Sequence, residues 1–280
     1  MAGTLEGKVA FITGAARGQG RSHAVRLARE GADIIAVDLC APVDTAPYPM
    51  ASKEDLDVTI AAVEATGRRI EAHIADVRDL TGLRGSVDAG VARFGRLDVV
   101  VANAGIASYA AADQMTEDQW DEMIAINLSG VWRTIRASIA HLVAGGGGGS
   151  VIIVSSAAGL RGIPNAAHYA AAKHGIVGLM KVLALELGTH RIRVNTIHPT
   201  TVDSPMSQND STLELFLPGE PREAQTQQAY ARIAQRLNVI PVPWIQPETV
   251  SDLVAFLASD QAQYITGSAI PVDAGMAIRW

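Results

Sequence analysis

Tyr169 and Lys173 lie four residues apart in an alanine-rich stretch, HYAAAKHG, over residues 168–175. Side chains at this spacing share one face of a helix, so the phenol and the ammonium are predicted to be neighbours. Alcohol oxidation needs a group that takes a proton from oxygen, and a free tyrosine, with a pKa of about 10, is a weak base near neutrality. A neighbouring ammonium favours the phenolate and lowers that pKa. The pair is therefore a candidate general base, although an isolated tyrosine and lysine at this spacing are usually inert.

Ser156 is a third candidate for the same chemistry, because it ends a strand predicted over residues 149–156. Ligands of open parallel sheets bind at the carboxyl ends of the strands, where a serine hydroxyl can hydrogen-bond a substrate oxygen. The structural alternative is that Ser156 only caps the helix that follows.

A glycine-rich turn, TGAARGQG over residues 13–20, joins the first predicted strand to the first predicted helix. Gly14, Gly18 and Gly20 allow the backbone to turn sharply and to approach a ligand closely. The N-terminus of the helix offers free N–H groups and a positive dipole end to a pyrophosphate. A strand before and a helix after such glycines favour a nucleotide site over an ordinary turn.

Asp38 ends the second predicted strand, 18 residues after Gly20. A carboxylate there can accept hydrogen bonds from both hydroxyls of an adenosine ribose, and it would repel a 2′-phosphate. The sequence therefore favours NAD over NADP, although Arg17 could neutralise a phosphate and leaves NADP open. Asp76 and Val77 could lie against the adenine.

Short apolar strands alternate with longer helical patterns along the whole chain. Continuous apolar strands between helices indicate a parallel sheet covered on both faces. The sequence predicts an α/β fold, a Rossmann-type doubly wound parallel sheet of about seven strands, in a single domain over residues 1–280. The predicted strands are 8–13, 33–38, 69–76, 97–105, 149–156, 192–199 and 268–273. The predicted helices are 18–30, 53–66, 80–94, 117–143, 167–188 and 247–258.

Two segments interrupt this alternation. A proline-bearing loop, 39–52, follows the second strand, and a polar, partly helical segment, 203–243, precedes the last helix. Long insertions beside a sheet edge are where lids and substrate loops occur. We expect residues 203–243 to form a substrate lid, with Trp244 near its end lining a pocket.

Composition excludes several other kinds of protein. The net charge is −6 and lysine and arginine are not clustered, which argues against nucleic acid or an anionic membrane surface as partner. No apolar run is long enough to span a bilayer, and the first residues do not resemble a signal peptide. The histidines show no metal-site pattern, and a single cysteine, Cys40, permits no intrachain disulfide. We expect a cytoplasmic protein without a metal, in which His168 is structural.

Five features in one order closely resemble the short-chain dehydrogenase/reductase family: TGAARGQG, ANAG (102–105), Asn127 in INLSG, Ser156, and the Y-x-x-x-K pair at 169–173. The resemblance covers nearly the whole chain. The separation of 13 residues between Ser156 and Tyr169 is usual in that family. The resemblance implies an NAD-dependent oxidoreductase.

Membership of that family would give four polar residues a role. Tyr169 would be the general base, and Lys173 would favour the phenolate and bind the nicotinamide ribose. Ser156 would hold the substrate oxygen, and Asn127 would relay protons through its backbone carbonyl and a water, unless it only braces its helix against the fourth strand. The residues expected to contact the cofactor are Gly14, Arg17, Gly18, Gln19, Gly20, Asp38, Leu39, Asp76, Val77, Asn103, Ala104, Gly105, Tyr169, Lys173, Pro199, Thr200, Val202 and Ser204.

Longer stretches, such as LRGIPNAAHYAAAKHGIVGLM and NTIHPT, are similar to the mycofactocin-coupled subgroup of the family, which includes carveol dehydrogenases. Members of that subgroup hold NAD without readily exchanging it and pass electrons to mycofactocin. The similarity implies a dehydrogenase for a hydrophobic or terpenoid secondary alcohol, a homotetramer, and a 39–52 loop that covers the cofactor. Two positions depart from the family pattern: Gln19 stands where an aliphatic residue is usual, and Thr200 replaces the usual glycine after Pro199.

Two other functions stay open. An ordinary short-chain reductase with exchangeable NAD(P), such as a 3-oxoacyl reductase, would carry the same motifs. A nucleotide-sensing protein without catalysis would keep the fold, although the complete set of Asn127, Ser156, Tyr169 and Lys173 argues against it.

Overall fold

Seven parallel strands form one sheet in the order β3-β2-β1-β4-β5-β6-β7 in the computed structural model, which describes residues 3–279. The order reverses between β1 and β4, and in such sheets a crevice opens at the carboxyl ends of the strands there. The strands are β1 Val9–Thr13, β2 Asp33–Asp38, β3 Ile70–Ile74, β4 Val99–Ala102, β5 Gly149–Val154, β6 Ile192–Pro199 and β7 Ala269–Val272. The predicted Rossmann-type class is confirmed, with β4 ending at Ala102 rather than at residue 105.

Helices cover both faces of the sheet. They are α1 Gly18–Arg29, α2 Lys53–Glu64, α3 Leu80–Phe94, α4 Glu117–Ile124, α5 Val131–Ala144, α6 Ala167–Leu187, α7 Asp210–Phe216, α8 Gln227–Ala234 and α9 Pro247–Ala258. Side chains alternate between the two faces along each strand. Ile12 and Val101 therefore pack with the layer of α1, α2 and α9, while Phe11 and Val100 pack with that of α3, α5 and α6.

The helix predicted over residues 117–143 is not continuous. A π-helical turn, Ala125–Gly130, separates α4 from α5. The sequence pattern predicts one helix through this turn and does not reveal it. Asn127 lies in the turn, which matches the tendency of π turns to occur at functional sites.

Residues 203–243 form α7, α8 and irregular connections, in agreement with the predicted partly helical segment. Leu213, Leu217 and Tyr230 make a small apolar core of their own there. Trp244 contacts Tyr230 with 5.6 Å between ring centroids. This segment is therefore held by a separate cluster of side chains beside the carboxyl edge of the sheet.

Candidate active site

A cavity lies at the carboxyl edge, over the turn between β1 and α1. Its walls include most of the residues expected from the sequence to contact a cofactor. These are Gly14, Arg17, Gly18, Gln19, Gly20, Asp38, Leu39, Asp76, Val77, Asn103, Ala104, Gly105, Tyr169, Lys173 and Ser204. Pro199, Thr200 and Val202 lie instead on the wall of a second cavity.

The floor of the first cavity needs glycine at two positions. Gly14 has φ +67°, in the left-handed region, and a Cβ at Gly20 would overlap the Gly14 carbonyl. Asn103 fixes this turn, because its Nδ2 donates to the carbonyls of Thr13 and Gly14 at 3.0 and 3.2 Å. The backbone of this turn, which we call the glycine cradle (residues 14–20), can therefore be approached closely by a ligand at the N-terminus of α1, which suits a pyrophosphate.

Asp38 stands beside this cradle at the end of β2. Its carboxylate accepts hydrogen bonds from the N–H groups of Ala16 at 2.9 Å and Cys40 at 3.2 Å. These bonds aim the carboxylate along the cavity and leave lone pairs for ribose hydroxyls. Arg17 donates to the carbonyl of Pro49, so its guanidinium is engaged with the 39–52 loop.

The 39–52 loop, which we call the strap, crosses the cavity and contributes Tyr48 to its wall. The phenol oxygen of Tyr48 accepts a hydrogen bond from the Ala107 N–H at 3.1 Å, and burial raises the pKa of this tyrosine to about 12. Thr45 donates from its N–H and hydroxyl to Glu122 at 3.0 and 2.7 Å. Glu122 also pairs with Arg78 at 2.7 Å. The strap is thus fastened to two other parts of the chain.

Tyr169 and Lys173 project from the first turns of α6 into the same space. The ammonium of Lys173 donates to the Val154 carbonyl at 2.9 Å and lies 5.6 Å from the centre of the Tyr169 ring. The Ser156 hydroxyl accepts from the Ala158 N–H at 3.1 Å and so caps the short turn that follows β5. Its neighbour Ser155 is tied into α6, since its hydroxyl donates to the Lys173 carbonyl.

The expectation that Lys173 lowers the pKa of Tyr169 stays a prediction, because in this structure another effect is larger. Burial raises the pKa of the Tyr169 phenol, and only the nearby Ser156 hydroxyl acts in the opposite direction. Burial also lowers the pKa of Lys173 to about 8. Both changes follow from the cost of placing a charge in a site shielded from water.

Asn127 has both ends of its side-chain amide occupied. Oδ1 accepts from the Ile106 N–H at 2.8 Å, and Nδ2 donates to the Ile106 carbonyl at 2.8 Å. This side chain braces the π turn against the segment after β4, which was the structural alternative. The predicted relay uses the backbone carbonyl of Asn127 and stays a prediction.

The second cavity lies between the sheet edge and residues 203–243. Tyr109, Phe216 and Tyr230 give it an aromatic wall, and Ser156 and Tyr169 lie at its inner end. Trp244 is not among the lining residues, which corrects the expectation for that residue: it packs behind Tyr230.

Sequence reasoning did not identify several residues of this region. Tyr48 and Tyr109 lie in segments without a regular pattern, and Tyr230 lies on the short helix α8 of the predicted lid, so nothing in their spacing pointed to the cavities. The contact of His198 with the site was not predicted either. Its Nδ1 hydrogen-bonds the Ser156 carbonyl at 2.8 Å and so helps to position that residue. His168, expected to be structural, is buried and hydrogen-bonds Ser108 at 2.9 Å.

Residues 3–279 show neither a metal-binding cluster nor a membrane-spanning helix. Their His, Cys, Asp and Glu side chains make no group of three that could hold a metal ion. None of their helices combines the length and apolar character needed to cross a membrane.

Comparison with known proteins decides the family. A family model described as enoyl-(acyl carrier protein) reductase matches residues 14–277. A protein of Mycolicibacterium smegmatis named as a putative short-chain type dehydrogenase/reductase is 52% identical over 281 residues, covering 100% of both chains. The chain belongs to the short-chain dehydrogenase/reductase family. As predicted from the motifs, it is therefore an oxidoreductase of that family.

Two other relatives of the family are similar over nearly the whole chain. The (−)-trans-carveol dehydrogenase of Rhodococcus erythropolis is 49% identical over 276 residues, which are 98% of this chain and 99% of that one. A carveol dehydrogenase from Mycobacterium avium, whose crystal structure is a complex with NAD, superimposes with a TM-score of 0.96. It is 48% identical and covers 98% of this chain and 99% of its own.

Proposed function

We propose that this short-chain dehydrogenase/reductase interconverts a secondary alcohol and its ketone with NAD as hydride carrier. The observation that carries the proposal is the position of Tyr169, which lies on the walls of both cavities beside Ser156 and Lys173. A phenol at the meeting point of two cavities can exchange a proton with a substrate in one while a cofactor occupies the other.

NAD suits the first cavity in three respects. The glycine cradle and the N-terminus of α1 would hold its pyrophosphate, and Asp38 would accept its ribose hydroxyls. Asp38 would repel a 2′-phosphate, and Arg17, the cation that could offset this, is engaged with Pro49. When bound, the nicotinamide ring accepts a hydride and brings a positive charge to the site.

The chain's own residues would then handle the proton. Ser156 would hold the substrate oxygen, and Tyr169 would take the proton from the alcohol or return it to the ketone. Lys173, held against the Val154 carbonyl, would bind the nicotinamide ribose and stabilise the phenolate. The backbone carbonyl of Asn127 would pass the proton towards solvent through a water.

The second cavity favours a hydrophobic alcohol. Its wall carries aromatic and aliphatic side chains, including Phe216, Tyr230 and Met276, and no aspartate, glutamate, lysine or arginine. A neutral ring compound buries apolar surface there without leaving a charge unpaired. We propose a terpenoid-like substrate such as carveol, the substrate in the names of two similar proteins.

The strap supports a further part of the proposal, that NAD is retained between turnovers and is reoxidised by mycofactocin. Tyr48 and Thr45 are hydrogen-bonded to Ala107 and Glu122, which are distant in sequence, so these bonds would hold the strap closed over bound NAD. We also propose that the protein is a cytoplasmic homotetramer in which residues 203–243 serve as the substrate lid.

Mass analysis of the small molecule released on denaturing the purified protein tests the cofactor and its retention together. We expect NAD at about one molecule per chain. Adding (−)-trans-carveol to the protein as purified should form NADH once, with little further turnover on added NAD.

Other results would replace parts of the proposal. Release of NADP, or steady turnover of a 3-oxoacyl thioester with added NADPH, would identify an ordinary reductase with exchangeable cofactor. Bound nucleotide without oxidation of any alcohol across a panel of secondary alcohols would favour a nucleotide-sensing protein.

A further inference from the structure

Gln19 lies where the two cavities meet. Five residues belong to the walls of both: Gln19, Ser155, Tyr169, Ser204 and Met206. The Ser155 hydroxyl is committed to the Lys173 carbonyl, and Tyr169 is the proposed base. The polar groups that remain at the junction are the amide of Gln19 and the hydroxyl of Ser204.

The amide of Gln19 has an unused hydrogen-bonding group. Its Oε1 is buried and has no hydrogen-bond partner among residues 3–279. A buried acceptor without a partner destabilises its surroundings, so a ligand that supplies a donor gains affinity by pairing with it. Gln19 as a whole is only partly buried and lies on the walls of both cavities.

The position of Gln19 in the chain indicates which part of a ligand it meets. It stands between Gly18 and Gly20 on the cradle proposed to hold the pyrophosphate. A Cβ built on Gly18 would lie 3.5 Å from the Ser204 side chain, so Ser204 stands against the same turn. Beyond the pyrophosphate, towards Tyr169, a dinucleotide continues with its second ribose, which Lys173 is proposed to bind, and then with its nicotinamide, which would reach the junction.

We propose that the Gln19 amide binds the carboxamide of the nicotinamide ring and fixes the ring's rotation at the junction. A carboxamide offers one acceptor oxygen and two N–H donors, which match the donor and acceptor of a glutamine amide. The alcohol substrate is a poorer partner for Oε1, because its hydroxyl proton is directed to Tyr169. This inference rests on the proposed function, since it requires the cofactor to be a nicotinamide dinucleotide.

Competition between NADH and ADP-ribose tests the inference without measuring activity. ADP-ribose keeps the adenosine, the pyrophosphate and the second ribose but lacks the nicotinamide. Wild type and Gln19→Leu are equilibrated with both nucleotides until occupancy stops changing, and native mass spectrometry gives the ratio of bound NADH to bound ADP-ribose. We expect Gln19→Leu to lower this ratio at least about fivefold, the value of one hydrogen bond. Gln19→Met, which keeps the length of the side chain, should lower it equally.

Gln208→Leu is the matched control. Its amide is also buried without a partner, but Gln208 is on the wall of neither cavity. The ratio should equal that of wild type in this control. A loss of both nucleotides in proportion, or an unchanged ratio in both Gln19 variants, would overturn the inference.

The failure of this inference differs from the failure of the proposed function. If wild type binds NADH and oxidises carveol but the Gln19 variants keep its ratio, only the role of Gln19 is wrong. If wild type binds neither nucleotide, the proposed function is wrong and the role of Gln19 falls with it.

Discussion

Burial opposes charge on both members of the Tyr169–Lys173 pair. It raises the pKa of the phenol and lowers the pKa of the ammonium to about 8, and the Ser156 hydroxyl offsets only part of the effect on Tyr169. A side chain that is to accept a proton from an alcohol must first be deprotonated. Burial therefore favours the neutral phenol of Tyr169, and positive charge brought into the site would favour the phenolate.

This gives a direction for the pH dependence of the reaction. Because the pKa of Tyr169 is raised, the fraction of phenolate grows as pH rises, so alcohol oxidation should become faster from about pH 7 to about pH 9. Ketone reduction uses the protonated phenol and should not gain over this range. Single-turnover rates in both directions, measured in the same buffers, check this, and an oxidation rate that falls with pH would contradict it.

At the scale of elements, the strap is the part whose attachments can be changed one at a time. The Thr45 hydroxyl donates to Glu122 at 2.7 Å, while its N–H makes a second bond to the same carboxylate. Replacing the hydroxyl by a methyl group removes one bond and keeps the shape of the side chain. A hydrogen bond to a charged group contributes about 1.5–3 kcal/mol.

Thr45→Val should therefore release bound NADH at least about tenfold faster than wild type. The release rate is measured by the fall in NADH fluorescence after an excess of NAD is added. Thr66→Val is the control, because its hydroxyl bonds the Val63 carbonyl at the opposite end of α2. Equal release rates in Thr45→Val and wild type would mean that the strap does not limit escape.

A second element-level prediction concerns the contact between α1 and α9. His23 is fully buried there, its Nδ1 hydrogen-bonds Ser251 at 2.8 Å, and burial lowers its pKa to about 3. The unfolded chain takes up a proton at its ordinary pKa of about 6.5, whereas the folded protein does not, so stability falls as pH drops from about 6.5 towards 3.

As pH drops from about 7.5 to about 5.5, proton uptake by His23 in the unfolded chain lowers the free energy of unfolding by about 1.4 kcal/mol. Urea unfolding of wild type and His23→Asn at both pH values measures it, since Asn keeps a polar group near the position of Nδ1 but does not titrate. The variant should lose about 1.4 kcal/mol less than wild type over this interval. Identical losses would show that His23 is not held neutral in the folded state.

The strands and the longer helices could be predicted because each carries its own periodic pattern. The glycine turn, Asp38, Ser156 and the Tyr169–Lys173 pair could be found for a related reason: each belongs to a short motif at a strand end or on one helix. The π turn at Ala125–Gly130 could not, because its hydrophobic pattern is that of a continuous helix. The position of Tyr48 could not be predicted either, because it depends on contacts that the strap makes with distant parts of the chain.

The same limit applies to the pKa of Tyr169. Spacing places a lysine beside the phenol, but the sign of the shift depends on how deeply the whole fold buries both groups. The sequence therefore identified the pair. It could not show that the cost of burying the charged forms outweighs the attraction between the ammonium and the phenolate.

At the scale of the molecule, α6 presents apolar side chains on its outer face. Leu185 is 81% exposed and Val182 is 51% exposed, while Ile176, Met180 and Leu183 on the same helix are buried in the core. Exposed apolar side chains grouped on one helix suit a subunit contact. This is the surface we assign to the proposed homotetramer.

Leu185→Glu should therefore weaken assembly, because a carboxylate would be buried in an apolar contact. Mass photometry at several concentrations should show smaller assemblies than for wild type. Val58→Glu, at a 52% exposed position on α2, is the control and should assemble normally. An unchanged mass distribution for Leu185→Glu would place the contact elsewhere.

The central claim, that the phenol of Tyr169 exchanges the proton when hydride is transferred, is tested most directly by Tyr169→Phe. Wild type and variant, each loaded with NAD, are mixed with (−)-trans-carveol and the formation of NADH is followed by absorbance. The account predicts that the variant retains NAD as wild type does and forms NADH about 10²–10⁴ times more slowly. NADH formation at the wild-type rate in Tyr169→Phe would contradict it.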